Sequence, residues 1–272
     1  MLNNSFLGRF MNRSPINNKG FSLIEVMILV IILNLIVGFG FDILNSTLDR
    51  NQYTHTKTRL AEFKKVIARY YAKNNKLPCP ADGTKIFGDA NHGRSVVDAN
   101  TGSCVGLAAS GGVVRTETAP GSGIWMRQGT IPNRTLGMSD DMMYDEFNMK
   151  YTYVVMEQFT DAPVTSDGSI IINDGAGSSP TDTDHYFTDK AVYLILTHGK
   201  DRIGSYSPAG TVNPCTNKTA LERDAENCNN DTIFSSGHYN DLERESPEWF
   251  DDILGWVSKD ELAGVAAASS GG

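Results

Sequence analysis

The sequence predicts an α+β fold in which a long N-terminal helix packs on an antiparallel β-sheet head. A helical pattern of apolar residues runs without proline from Phe21 to Asn74. Residues 151–156, 169–172 and 191–197 are rich in β-branched and aromatic residues, and turn-rich segments separate them, which is typical of strands. One helix followed by several strands indicates a sheet that is covered by the helix.

The predicted helix has two halves of different character. Residues 21–41 are apolar with one charge, Glu25, and would form a helix of about 30 Å, enough to cross a bilayer. Residues 42–75 place Leu60, Phe63 and Ile67 on one side, which is typical of an amphipathic helix. We therefore expect a membrane half followed by an amphipathic half that packs on the sheet.

The segment before the helix differs from both halves. Residues 1–20 carry Arg9, Arg13 and Lys19 and no acidic residue, and they precede the apolar stretch instead of containing it. This order predicts a processed leader whose removal leaves the apolar stretch in place. The positive charge on one side of the span predicts a cytoplasmic N-terminus and an outward C-terminal part.

The junction between leader and helix has a recognisable order of residues. Lys19 and Gly20 are followed by Phe21, a short apolar run, Glu25 and the long apolar stretch. This order resembles the cleavage and methylation signal of type IV pilin-like proteins, which include the pseudopilins of type II secretion. The resemblance implies that a prepilin peptidase cuts between Gly20 and Phe21 and that Phe21 is then N-methylated. It also implies that Glu25 is the assembly carboxylate, which meets the Phe21 amine of a neighbouring subunit. The alternative is an incidental glutamate at the membrane interface.

The resemblance implies a division of the chain and a location. The expected segments are a leader peptide (1–20), the transmembrane half of the helix (21–41), its amphipathic half (42–75) and a periplasmic globular head (76–272). The protein would cross the inner membrane once, with its N-terminus in the cytoplasm and its head in the periplasm. It would then enter a pilus or pseudopilus filament.

The function implied is that of a structural subunit, a minor pilin or pseudopilin of a type IV pilus or type II secretion filament. Its partners would be other pilin-like subunits, the prepilin peptidase and an inner-membrane assembly platform. The alternatives are a large major pilin, or a membrane-anchored periplasmic binding protein or enzyme. An anchored enzyme would need neither a cut at Gly20 nor Glu25.

Four cysteines follow the helix, and an even number on the outward side indicates two disulfides. Three pairings are possible. We favour Cys79 with Cys104 and Cys215 with Cys228, because each pair brackets a loop-like segment rich in Gly, Asn and Asp. Free buried thiols are the alternative, and the spacing typical of a zinc site does not occur.

One acidic, amide-rich segment near the second cysteine pair has the oxygen donors that calcium prefers. A solvated loop closed by the Cys215–Cys228 disulfide explains the same composition, so we expect no cofactor, with a structural calcium as the alternative. The weak calcium candidates are Glu222, Asp224, Glu226 and Asp231.

Composition and motifs argue against other functions. The formal net charge of −8 argues against a nucleic-acid partner. The sequence contains no His-Glu-x-x-His, no Gly-x-Ser-x-Gly and no phosphate-binding loop. Residues 197–201 follow a buried strand, where active-site groups often lie, but they also resemble the turn that closes a pseudopilin strand. We therefore expect a protein that is not an enzyme.

Overall fold

The computed structural model describes residues 22–174, 186–215, 223–237 and 250–270, without the side chains of 37–50, 186, 223, 224, 269 and 270. The chain divides into two compact units, Met1–Arg50 and Asn51–Gly272. We call the second unit the head. Helix α1 (Leu23–Asn74) begins in the first unit and ends in the second.

In the first unit, residues 23–36 form the described apolar part of α1. All twelve large apolar side chains of this stretch are exposed, from 48% for Val30 to 86% for Leu23.

The predicted transmembrane helix is contradicted. In the described part of the chain, no helix combines the length and the apolar character needed to cross a membrane. The predicted span over residues 21–41 and the single-pass inner-membrane location are therefore wrong. That prediction rested on the apolar composition of residues 21–41 alone.

The head contains one seven-stranded sheet in its described residues. Its strands pair in the order β1-β2-β3-β5-β4-β6, and β7 also pairs with β5. The strands are β1 (Val114–Glu117), β2 (Trp125–Thr130), β3 (Thr152–Met156), β4 (Ile170–Asn173), β5 (Tyr186–Thr197), β6 (Ile233–Ser235) and β7 (Ile253–Ser258).

The sheet is mixed, because β4 and β6 run parallel while the other pairs are antiparallel. The predicted fold class, a helix with a membrane half and an amphipathic half on an antiparallel sheet, is therefore wrong. Strand β6 has three residues and lies in a segment whose composition predicts a loop, so its sequence shows no alternation that would have revealed it.

The core of the head lies between the sheet and the later part of α1. Leu60, Phe63 and Ile67 are buried against residues of the sheet. The rings of Phe63 and Tyr151 meet edge to face, with their centroids 5.0 Å apart. Spacings of three and four residues place these side chains on one side of the helix, and that side is the buried one.

Two short α-helices and two 3₁₀ helices complete the described part of the head. The α-helices are α2 (Arg223–Glu226) and α3 (Lys259–Ser270), and the 3₁₀ helices are Asp140–Met143 and Glu157–Thr160. Helix α3 follows β7 directly, and its Leu262 and Ala266 are buried in the core. Burial of this apolar side stabilises a helix in which small residues predominate.

The sheet is curled, so that its first strand comes close to the segment before β6. The hydroxyl of Thr116 donates to the carbonyl oxygen of Asn230 over 2.8 Å. The hydroxyl of Thr232 donates to the carbonyl oxygen of Thr118 over 3.5 Å. These contacts hold strands β1 to β3 opposite the loops around residue 230, and the space between them is a cavity.

Candidate functional site

The predicted processing site, Gly20 and Phe21, lies outside the described residues. Glu25 lies in the first turn of α1, where its Oε2 accepts a hydrogen bond from the backbone N–H of Ser22 over 2.9 Å. The first turn of a helix has unpaired N–H groups and a partial positive charge, and both favour a carboxylate there.

Glu25 stands at the beginning of an apolar stripe on α1. Together with Ile28, Leu29, Ile32 and Leu33 it lines a shallow groove along one side of the helix. These positions follow helical spacing, so they share one face.

Both disulfides of the structure join the cysteines that the sequence analysis paired. Cys79 is bonded to Cys104 and Cys215 to Cys228. Cys79 and Cys104 are buried at 2% and 1% exposure, whereas Cys215 is half-buried. The first bridge therefore belongs to the core of the head, and the second lies nearer its surface.

Two of the four calcium candidates come together. The amide of Asn229 donates to Glu226 Oε2 over 3.3 Å and to Asp231 Oδ2 over 2.9 Å. Burial, and secondly the charge of Asp231, raise the pKa of Glu226 to about 7. Glu222 and the side chain of Asp224 lie outside the described residues. Within the described parts of the head, no three metal-binding side chains form a cluster, and the calcium site stays a prediction.

Two carboxylates, those of Asp145 and Asp251, form hydrogen bonds with the turn at residues 197–201. The hydroxyl of Thr197 donates a short hydrogen bond to Asp145, whose other oxygen accepts the backbone N–H groups of Phe147 and Met149. The carboxylate of Asp251 accepts the N–H of Asp201 over 3.0 Å. These bonds join the end of β5 to two other segments of the head.

His198, at the same strand end, is fully enclosed. Its Nε2 lies 3.1 Å from the hydroxyl of Thr152, and its Nδ1 has no hydrogen-bond partner among the described residues. Burial lowers the pKa of His198 to about 3, so the ring is neutral at neutral pH. Gly204 lies against the ring at φ +89°, where a Cβ atom would come within 2.7 Å of it.

Sequence reasoning missed two buried cations, because each finds its partners far along the chain. Arg127 is 1% exposed and donates to Glu157, and Arg115 donates to the same carboxylate. Lys150 is buried, and its Nζ donates to the carbonyl oxygens of Gly83 and Lys85 over 2.8 and 2.7 Å. A lone charged residue within a strand, as Arg127 is in β2, is the one signal that could have indicated a buried pair.

Comparison with known proteins finds no match among protein-family models, curated proteins or solved structures. The pilin-type resemblance therefore rests on the sequence alone, chiefly on residues 19–45. These comparisons do not support the pilin-specific features that the resemblance implies.

Proposed function

We propose that this protein is a pilin-like structural subunit, of the minor pilin or pseudopilin kind, that assembles with other pilin-like subunits. Residues 1–20 would be removed by a prepilin peptidase and Phe21 methylated. The observation that carries the proposal is the apolar stretch of residues 23–36, whose large side chains are all exposed.

The exposed apolar area favours association of this helix with a partner. Burying the remaining surface of twelve such side chains, at about 1 kcal/mol each, would stabilise an assembly by on the order of 10 kcal/mol. This is comparable with the whole stability of an ordinary domain. Packing of such helices against one another buries this surface and needs no further partner.

Glu25 would set how neighbouring helices align along their axes. A glutamate at the start of an otherwise apolar stripe would lose hydration in a helix bundle unless a positive group met it. The amine created by a cut before Phe21 is a group of the right charge. Pairing of this amine in one subunit with Glu25 in the next would set the axial register, which an apolar stripe alone leaves open.

The test compares Glu25→Ala and Glu25→Gln with Glu62→Gln, which changes an exposed glutamate later on the same helix. In cells that make the cognate filament, we expect both Glu25 variants to reach normal cellular levels and to be lost from sheared filaments. The Glu62 variant should be incorporated like the wild type. Intact mass should show loss of residues 1–20 and one added methyl group.

Two results would overturn the proposal. One is a wild-type chain that keeps residues 1–20 in cells with an active prepilin peptidase. The other is incorporation of the Glu25 variants at wild-type levels, which would remove the assembly role of the carboxylate.

A further inference from the structure

The curled sheet of the head borders a half-open cavity of about 260 Å³. Val114, Gln128 and Thr152 of strands β1 to β3 line one wall, and Asn213, Cys215 and Asn230 line the other. Ligand sites occur preferentially in such places, including the mouths of β-barrels. The Cys215–Cys228 disulfide forms part of the wall and fixes the two loops that close the cavity.

The lining mixes apolar and polar groups and carries no charge. Among the described residues that line the cavity there is no Asp, Glu, Lys, Arg or His side chain. The groups that can form hydrogen bonds are amides and hydroxyls, on Gln128, Thr152, Asn213, Asn230 and Tyr206. An ionic ligand would lose its hydration here without meeting an opposite charge, which is costly.

Gln128 supplies a hydrogen-bonding group that the head itself does not use. The residue is 8% exposed, and its Oε1 has no hydrogen-bond partner among the described residues. A buried polar group in this condition costs about 1–3 kcal/mol. This oxygen is shielded from solvent, so the amide must turn towards the cavity, which Gln128 lines, before a ligand can donate a hydrogen bond to it and offset the cost.

Thr152 supplies the second group, and its surroundings keep this wall neutral. Its hydroxyl faces His198 Nε2 at 3.1 Å, and burial lowers the pKa of His198 to about 3. The wall behind Thr152 therefore carries no positive charge at neutral pH. This wall therefore offers no electrostatic attraction to an anion, and a neutral hydroxyl compound fits it better.

We propose that this cavity binds one small neutral polyhydroxyl compound, of the size and chemistry of a single sugar residue. Sugar hydroxyls both donate and accept hydrogen bonds, as amide and hydroxyl side chains require. Tyr206 also lines the cavity, and we expect its ring to contact the apolar C–H groups of a sugar. The volume holds one ring, so a longer glycan would insert only its terminal residue. The proposal does not depend on filament assembly.

The test uses the full-length chain in mild detergent and ligand-observed NMR. The probes are glucose, galactose and N-acetylglucosamine, with glucuronate and cyclohexane as the charged and apolar comparisons. We expect at least one neutral sugar to bind with a Kd of about 1 mM, as suits a small site, and to bind more tightly than either comparison.

Val212→Phe and Val105→Phe form a matched pair of variants. Val212 lines the cavity and is 48% exposed, whereas Val105 lies elsewhere in the head and is 47% exposed. Both are surface positions, so a larger side chain should leave the fold intact, which a thermal unfolding curve checks. We expect Val212→Phe to weaken sugar binding more than about tenfold, and Val105→Phe to change it less than about twofold.

A second variant, Gln128→Leu, removes the unused amide while keeping the size of the side chain, and should also weaken binding. Binding that is unchanged in Val212→Phe, or stronger binding of glucuronate or cyclohexane than of every neutral sugar, would overturn the proposal. The same holds if none of the three sugars binds the wild-type chain at concentrations of about 50 mM, far above the expected Kd.

Discussion

Arg127 and Glu157 form an ion pair in the interior of the head. Arg127 Nε donates to Glu157 Oε2 over 2.8 Å, and the two side chains are 1% and 4% exposed. The same carboxylate accepts Arg115 Nε over 2.7 Å and the backbone N–H of Gly106 over 2.8 Å. Burial alone would raise the pKa of Glu157. The hydrogen bonds from Arg115 and Gly106 and the charges of both arginines outweigh burial and lower it.

We expect Glu157→Gln to lower the free energy of unfolding by about 3–5 kcal/mol, because it leaves the Arg127 charge buried without its counter-ion. Chemical denaturation measures the change. The double variant Arg127→Met with Glu157→Met should cost less than the sum of the single changes, since it leaves no uncompensated charge between them. Additive losses would show that the two side chains do not act as a pair.

The two disulfides should contribute unequally to the stability of the head. Replacing both cysteines of either bridge with alanine should cost about 3 kcal/mol in the chain-entropy model. The sequence separations are 25 and 13 residues, so losing Cys79–Cys104 should cost about 0.6 kcal/mol more. Thermal unfolding of the two double variants shows which bridge contributes more to stability. Under native conditions a mild reductant should open Cys215–Cys228 first, because Cys215 is less buried; peptide mapping that finds the reverse would contradict this.

Phe63 should be essential to the packing of α1 on the sheet. Phe63→Ala should lower the free energy of unfolding by about 3–5 kcal/mol, because the side chain is fully buried against Tyr151. Phe63→Leu should cost less, since it leaves a smaller cavity. Phe87→Ala is the matched control, because Phe87 is 69% exposed. Equal losses for Phe63→Ala and Phe87→Ala would show that this part of the helix does not pack as described.

His198 should make the head sensitive to acid. Its pKa falls from the ordinary 6.5 to about 3 through burial, so below pH 6.5 the unfolded chain binds a proton that the folded chain does not. Stability is therefore lost as the pH falls from about 6.5 towards 3, by about 2–3 kcal/mol between pH 7 and 4.5. His198→Gln should remove this part of the loss, while Thr152→Val, which keeps the imidazole, should retain it. Urea unfolding at pH 7 and at pH 4.5 measures the free energy of unfolding of each variant. If His198→Gln loses as much stability as the wild type between these pH values, His198 is not the cause of the acid sensitivity.

Local patterns in the sequence predicted several features that the structure contains. The spacing of Leu60, Phe63 and Ile67 indicated the buried side of the helix, and the apolar run at 191–197 indicated a strand that lies within β5. Both signals depend on side chains a few residues apart, so a linear sequence can display them. The cysteine pairs also lie at short separations, with loop-like residues between them.

The sequence by itself determined where apolar faces and loop-like segments fall, because these properties are local. Only the tertiary structure decided the mixed pairing of β4 with β6, the burial of Arg127 against Glu157, and the cavity behind Gln128 and Thr152. Each of these joins residues that are distant in the chain, and the free energy that favours them comes from burial and hydrogen bonding across the curled sheet. The predicted membrane span rested on apolar composition alone, which is a local property, and the structure contradicts it.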